Sequence, residues 1–471
     1  MKSLRLLIAA STISAVTLVS QVRLSHAQYY AQYSSGIQVQ NTGNAPANIV
    51  VTFLAGNIAF TPSGAIPPGQ SVNIYPLPGV VPAGFDGAAI ISSDQPIAAV
   101  VNILGGNNAN NPSQTFGRSA YAAALQGNTT LLLPLLGKQF GSFKNSTWFK
   151  VQNLGGSPAD IYVNYSNGNA QSQLNVLPGE SVSFTQNIPL HTAGTVFAAV
   201  VTSTQPIAAA VVQEADPGLG HLSYAYSGFA TSSTFPVMPL VNINNNGYKT
   251  GIQVQNGGST PTTVTITYVP APGVPGNATA TCFETKAIAP GASATFAIDV
   301  FSGIIPSGTT TNCPANQKFV GSATVTSNSA NQPLVAIVNQ RQTVVGNGAG
   351  AYNAFDPGSG KQKVVFPLIL DRVGATAQNY TGFNVQNVGS GTTTVTCTFA
   401  GTPPTTRVIS ATLAPGQALN DVHQFEFAPG FIGSATCTAS NPGDRLVGVL
   451  NQVAKLAPGD RLYVSEGVSL D

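Results

Sequence analysis

Four copies of one short segment constrain this chain more than any other feature. Val39-Gln40-Asn41, Val151-Gln152-Asn153, Val254-Gln255-Asn256 and Val385-Gln386-Asn387 each close an alternating run, and Gly follows within two or three residues. The spacing is roughly a hundred residues, which marks internal repetition. Each repeat must bury its own apolar side chains or share them with a neighbour.

The signals around the motif recur in the same order. An alternating run comes next, with apolar positions Ile49, Val51 and Phe53, then Ile161, Val163 and Tyr165, then Val264, Ile266 and Tyr268, then Val395, Cys397 and Phe399. Strict alternation places one face of a strand inside and one outside. Pro68-Gly69, Pro178-Gly179, Pro290-Gly291 and Pro415-Gly416 open a third strand. Gln95-Pro96, Gln205-Pro206 and Gln332-Pro333 precede a longer apolar run, with Asp444-Arg445 in that place in the last repeat. A strand near Tyr121, Tyr224, Tyr352 and Tyr463 closes each unit. Short alternating strands, turn signals about every ten residues and no helical period predict an all-β chain of four tandem immunoglobulin-like β-sandwiches.

The expected division is a signal peptide over 1–27, then repeats over 28–126, 127–231, 232–357 and 358–471. Lys2 and Arg5 precede an apolar stretch over 6–19, and Ser25-His26-Ala27 predicts a cut between Ala27 and Gln28. The mature chain is expected outside the cell, with no membrane span. Short linkers near 126–130, 230–234 and 356–363 predict a rod or curved string of sandwiches.

Charged residues make up only 7% of the sequence and the net charge is +2. Without a Lys/Arg cluster there is nothing to neutralise phosphates, so nucleic acid is not expected as a partner. The 43% hydrophobic content and its alternation exclude a disordered chain. A surface of Asn, Gln, Ser and Thr tolerates association with copies of itself, other surface proteins or glycans.

The run from Val39 through Asn41, Gly43, Asn44 and Pro46 to Ala47, followed by an alternating strand and Pro68-Gly69-Gln70-Ser71-Val72, resembles the bacterial cell-adhesion-related (CARDB-like) immunoglobulin-fold repeats. The resemblance covers about half of each unit. It implies a secreted or cell-surface spacer or adhesion module.

Cys397 shares a column with Val51, Val163 and Ile266, and Cys437 shares one with Ile91, Val201 and Val325. Both columns face inward by pattern, so Cys397 is expected to pair with Cys437. Cys282 then pairs with Cys313 in inserted loops of the third repeat.

Catalytic chemistry finds little support. His191, His221 and His423 are scattered, and no His-x-x-x-His, Cys-x-x-Cys or Gly-x-Ser-x-Gly spacing occurs. No catalytic residue, cofactor or metal site is expected. Gly346-x-Gly348-x-Gly350 lies between strands, with no helix N-terminus to hold an anion, and reads as a hairpin loop. Asp216-Pro217-Gly218, Asp356-Pro357-Gly358, Gly443-Asp444-Arg445 and Gly459-Asp460-Arg461 read as turns with exposed charge. Five sequons stand at Asn128, Asn145, Asn164, Asn277 and Asn379. The tips around Asn107 and over 242–247 carry amides able to bond sugars. The leading expectation is a structural or adhesive surface component. The alternative is a carbohydrate-binding accessory protein with Trp148 and exposed Tyr as stacking platforms.

The first repeat is anomalous. Leu133-Pro134-Leu135-Leu136, Val237-Met238-Pro239-Leu240 and Phe366-Pro367-Leu368-Ile369 precede the motif in repeats 2 to 4 and read as first strands. In repeat 1 the matching stretch falls within 1–27. Residues 29–33 are expected to form a shortened first strand. The other reading is an open edge that accepts a neighbour's strand.

Overall fold

In a computed structural model, the described residues are 32–54, 58–74, 79–82, 84–106, 117–124, 126–342, 348–374, 378–456 and 459–470. The expected signal, with the Ala27–Gln28 cut, lies outside them. The described chain is all-β, built from several antiparallel sheets with only two single-turn 3-10 helices. The four largest apolar cores each belong mainly to one sequence repeat.

The alternating columns are buried as the period of two requires. Val51 opposes Ile91, Val163 opposes Val201, Ile266 opposes Val325 and Cys397 opposes Cys437. A disulfide joins Cys397 to Cys437 across these neighbouring strands of one sheet, and another joins Cys282 to Cys313.

One hydrogen-bonded clamp explains why the sequence signals travel together. The motif Asn is fully buried in every repeat. Asn153 Nδ2 donates to the carbonyls of Ser157 (2.8 Å) and Val176 (2.9 Å), and its Oδ1 accepts from the Gly155 N–H (2.8 Å). Asn41, Asn256 and Asn387 repeat this set. The preceding Gln reaches the carbonyl of the Pro-Gly turn: Gln40 to Gly69, Gln152 to Gly179, Gln255 to Gly291, Gln386 to Gly416. The Gly after the motif is needed because a Cβ at Gly155 or Gly258 would overlap Gln205 or Gln332, the Gln of the Gln-Pro signal. Asn153→Ala strands a buried N–H and two carbonyls, so repeat 2 should lose about 3 kcal/mol. Urea unfolding followed by Trp148 fluorescence measures the loss.

The Pro-Leu segments do form first strands, Asn128–Lys138, Val237–Ile243 and Lys363–Asp371. Each ladder shifts register across its Pro, where no amide donor is required. Tyrosines of the closing strands clasp the displaced backbone. Tyr226 Oη donates to the Leu135 carbonyl (2.8 Å) and Tyr352 Oη to the Leu240 carbonyl (2.6 Å). Register assigns Tyr226, not Tyr224, to the column of Tyr121 and Tyr352, and Ser465, not Tyr463, in repeat 4.

Of the shortened first strand expected over 29–33 in repeat 1, residues 29–31 lie outside the described residues. The described residues from 32 onward simply extend the motif strand, Gln32–Asn41. Among the described residues, strand Ala89–Ser93 pairs only with Ile49–Phe53 and ends its sheet.

The arrangement is not the expected rod. The closing strands Gly117–Ala122, Ser223–Ser227, Gly348–Asn353 and Leu462–Glu466 lie side by side along a common axis, in the order of the repeats, and the fourth meets the first. All four run the same way. Their starts converge on Asp460, which is fully buried rather than at an exposed turn. Its carboxylate accepts N–H bonds from Ser223 (2.9 Å), Ala349 (2.8 Å) and Leu462 (3.2 Å), and one from the Arg118 backbone. Each repeat thus supplies one donor. At the other end Ser227 Oγ donates to the Ala122 carbonyl (2.6 Å), Asn353 Nδ2 to the Ser227 carbonyl (2.7 Å), and the Asn353 N–H to Glu466 Oε1 (2.8 Å). Small side chains permit the approach: Ala120, Ala225 and Ala351 are buried there with Val464. Gly348 and Gly350 are strand residues, not a hairpin loop; a Cβ on Gly350 would overlap Val464 and one on Gly348 would press on Leu462. Gly346 lies outside the described residues.

Candidate functional site: an apolar loop face

Parallel closing strands bring equivalent loops to one end of the molecule. In each repeat the strand after Pro-Gly runs back beside the start of the motif strand: Thr185 opposes Trp148, Phe296 opposes Ile252 and Val422 opposes Gly382. The loop that follows therefore emerges at the Asp460 end. Every one of the four loops exposes aliphatic or aromatic side chains there: Val80 is 56% exposed, Leu190 39%, Ile304 61%, Ile305 63% and Phe425 66%. Single exposed apolar residues are ordinary, but here the same feature recurs on four equivalent loops at the same end of the molecule.

These tips are built rather than slack. Lys138 Nζ donates to the carbonyls of Ile188 (2.8 Å) and His191 (2.9 Å), fastening the repeat-2 loop. His191 packs on Phe197 with ring centroids 4.5 Å apart. Burial, helped by the charge of Lys138, lowers its pKa to about 4, so it is neutral at pH 7. In repeat 4 the buried Asp371 accepts from the N–H groups of Phe425 (3.1 Å) and Phe427 (2.8 Å) and from Arg372 (2.7 Å). Burial opposes its charge, but these donors outweigh it and hold the carboxyl below the usual range. Phe425 sits at φ +70°, a region costly for a bulky residue. The Arg372 guanidinium lies 4.8 Å from its ring centre and the Lys455 ammonium 5.9 Å.

The remaining candidates resolve into structural roles. Thr381 Oγ1 lies 2.7 Å from His423 Nδ1, and His423 Nε2 lies 3.0 Å from Asp421 Oδ2, the order of a nucleophile, base and orienting acid. Thr381 is buried, however, and its hydroxyl bonds both the N–H and the carbonyl of Leu370. Thr147 and Thr250 do the same for Gly137 and Asn242, with no His beside them in these bonds. The hydroxyl is a clasp on the first strand. Arg407 engages Asp421 through two bonds (2.6 and 2.8 Å) and faces the rings of Phe399 and Phe427. Burial would raise Asp421, but Arg407 and His423 lower it overall.

Among the described residues, no group of three His, Cys, Asp or Glu is placed to hold a metal. Asp216 caps its own turn through the Gly218 N–H, Asp356 accepts from Ser233 and Asp444 from Thr393. Trp148 is buried between repeats 1 and 2, edge-on to Tyr33 at 6.0 Å, so it offers no face to a sugar. Among the sequons, Asn145 is buried and Asn277 Nδ2 is held by two carbonyls. The open cleft lined by Lys361, Asp444 and Arg445, about 260 Å³, is on repeat 4.

No family description matches the chain, and no curated protein does. One solved structure, titled a tetra-tandem repeat in the extending region of a large adhesion protein, aligns over 95% of this chain and 97% of that one at 10% identity, with a TM-score of 0.09. A TM-score that low carries no argument about fold or role. Among the described residues no helix is long and apolar enough to cross a membrane. The two disulfides are consistent with an extracellular protein.

Proposed function

We propose that the chain is an exported, non-catalytic adhesive component of the cell surface, made of four immunoglobulin-like sandwiches whose shared loop face makes the contact. The observation that carries this reading is the exposure of Val80, Leu190, Ile304, Ile305 and Phe425 at one end. Four tips at one end of the molecule can engage a surface together, so weak individual contacts add as avidity. The export-type N-terminus, the disulfides and the low charge support an extracellular setting. The carbohydrate-binding alternative loses its best platform with Trp148 buried.

The test uses residues 28–471 coupled to beads, with attachment measured on apolar, polar and glycan-coated surfaces. Replacing the five tip residues with Ser should weaken attachment at least about tenfold, given the avidity of several sites. Undiminished attachment of the fivefold variant would sink the loop-face reading. Attachment to glycan surfaces alone would favour the alternative.

A further inference from the structure

Repeat 1 lacks, among the described residues, an element that the other three repeats all possess, and the space it would fill is still lined with apolar side chains. In repeats 2, 3 and 4 the strand carrying Val201, Val325 or Cys437 pairs on its outer edge with a first strand. Its counterpart in repeat 1, Ala89–Ser93, has no such neighbour. The consequence shows in the core columns. Ile207, Leu334 and Leu446 are fully buried, and so are Val201, Val325 and Cys437, but Ile97 and Ile91 in the same columns are only partly covered. Ala99 is likewise less covered than Ala209 and Ala336. Tyr121 stands in the column whose hydroxyl, in Tyr226 and Tyr352, clasps the bulge of a first strand.

The first strand also separates successive repeats. Leu132 of Asn128–Lys138 reaches Gly257 of repeat 3, and Val237–Ile243 packs on the motif strand of repeat 4. Between repeats 1 and 2 contact is made instead through Tyr33, Ile103 and Tyr121 against Trp148, Val212 and Ala225, and through the Lys150–Asp86 ion pair.

We propose that the edge of Ala89–Ser93 is a strand-acceptor slot for an extended aliphatic segment of a different polypeptide. The occupant is specified by the chain's own repeats: alternating aliphatic residues ahead of Pro-Leu, as in Asn128–Lys138, where Leu131 and Leu133 are buried. In the register of repeat 2, Val201 opposes Leu131 and Ala199 opposes Leu133, so the donor's aliphatic residues would oppose Ile91 and Ala89. Main-chain bonds along the edge supply affinity, and the pockets beside Ile91, Ile97 and Ala99 supply selectivity. A second copy of the chain is not the donor, because each of its Pro-Leu strands is already paired within its own repeat. The test of the slot reads strand addition and does not depend on adhesion.

The experiment uses residues 28–471 and a synthetic peptide of sequence 128–138, with amide hydrogen exchange read over 89–93. Saturable binding with at least about tenfold slower exchange at these amides is expected. A control peptide with Leu131 and Leu133 replaced by Ser should give neither effect. Three outcomes overturn the proposal. The peptide leaves exchange unchanged, or the control peptide protects equally. Alternatively, 89–93 is already as protected as 199–202, either in the free chain, whose copies then fill the edge themselves, or once residues 1–27 are retained, so that the chain fills its own slot.

Discussion

Asp460→Ala should release the four repeats from one another while leaving each core folded. The carboxylate is the common acceptor for N–H groups of Ser223, Ala349, Leu462 and Arg118, and no water reaches it. Removing it leaves buried donors unpaired, at a cost of about 4 kcal/mol. That loss falls on the docking of repeats, because Asp460 lies outside their separate cores. Small-angle scattering should report a larger radius of gyration, with strand content by circular dichroism unchanged. A compact particle of unaltered stability would show that the axis is held by side-chain packing alone. The pH dependence gives a second reading. Burial pushes Asp460 well above the usual carboxylate range, against the pull of its backbone donors. The folded state then keeps its proton to higher pH than the unfolded chain. Its contribution is complete below about pH 3.9 and is lost as pH rises toward the folded value, by at most about 1.4 kcal/mol per pH unit. Asp460→Asn cannot titrate and should flatten this slope while keeping an acceptor at the axis.

Gly350→Val is expected to separate repeats 3 and 4 by steric force rather than by loss of a bond. The added side chain would stand where Val464 packs, between strands fixed on their other edges by Leu334–Gln342 and Leu446–Ala454. Overpacking of this kind costs about 1–3 kcal/mol, and more where backbone cannot yield. Differential scanning calorimetry is expected to show one cooperative transition for the wild type and separate ones for the variant. Val464→Gly in the same chain should recover part of the loss by returning the space. A variant with one unshifted transition would mean that the strands have room the structure does not display.

Much of the secondary structure was legible because its causes are local. Alternation fixed which side of each strand is buried, and the column argument paired Cys397 with Cys437 on the same grounds that oppose Val51 to Ile91. The recurrence of Asn, Gly, Pro-Gly and Gln-Pro was visible too, although the clamp that unites them was not: in repeat 2 its bonds join residues 23 and 27 apart in the chain. The apolar loop face was harder to read. Val80, Leu190, Ile304, Ile305 and Phe425 fall in loops of different length and sequence, and only their common strand register aligns them. Comparing each loop by its position after Pro-Gly, rather than by residue type, is the signal that would have found it.

The sequence by itself determined the repeat, the strands, their inward columns and the anomaly of repeat 1, since these depend on period-two patterning and turn residues acting over a few positions. The tertiary structure alone decided how the repeats stand to one another. Ala120, Ala225, Ala351, Gly348 and Gly350 resemble any small strand residues, and Asp460 resembles any turn carboxylate. They acquire their role only when four outer faces meet on one axis, where close approach requires the absence of side chains and a buried carboxylate finds a donor from every repeat.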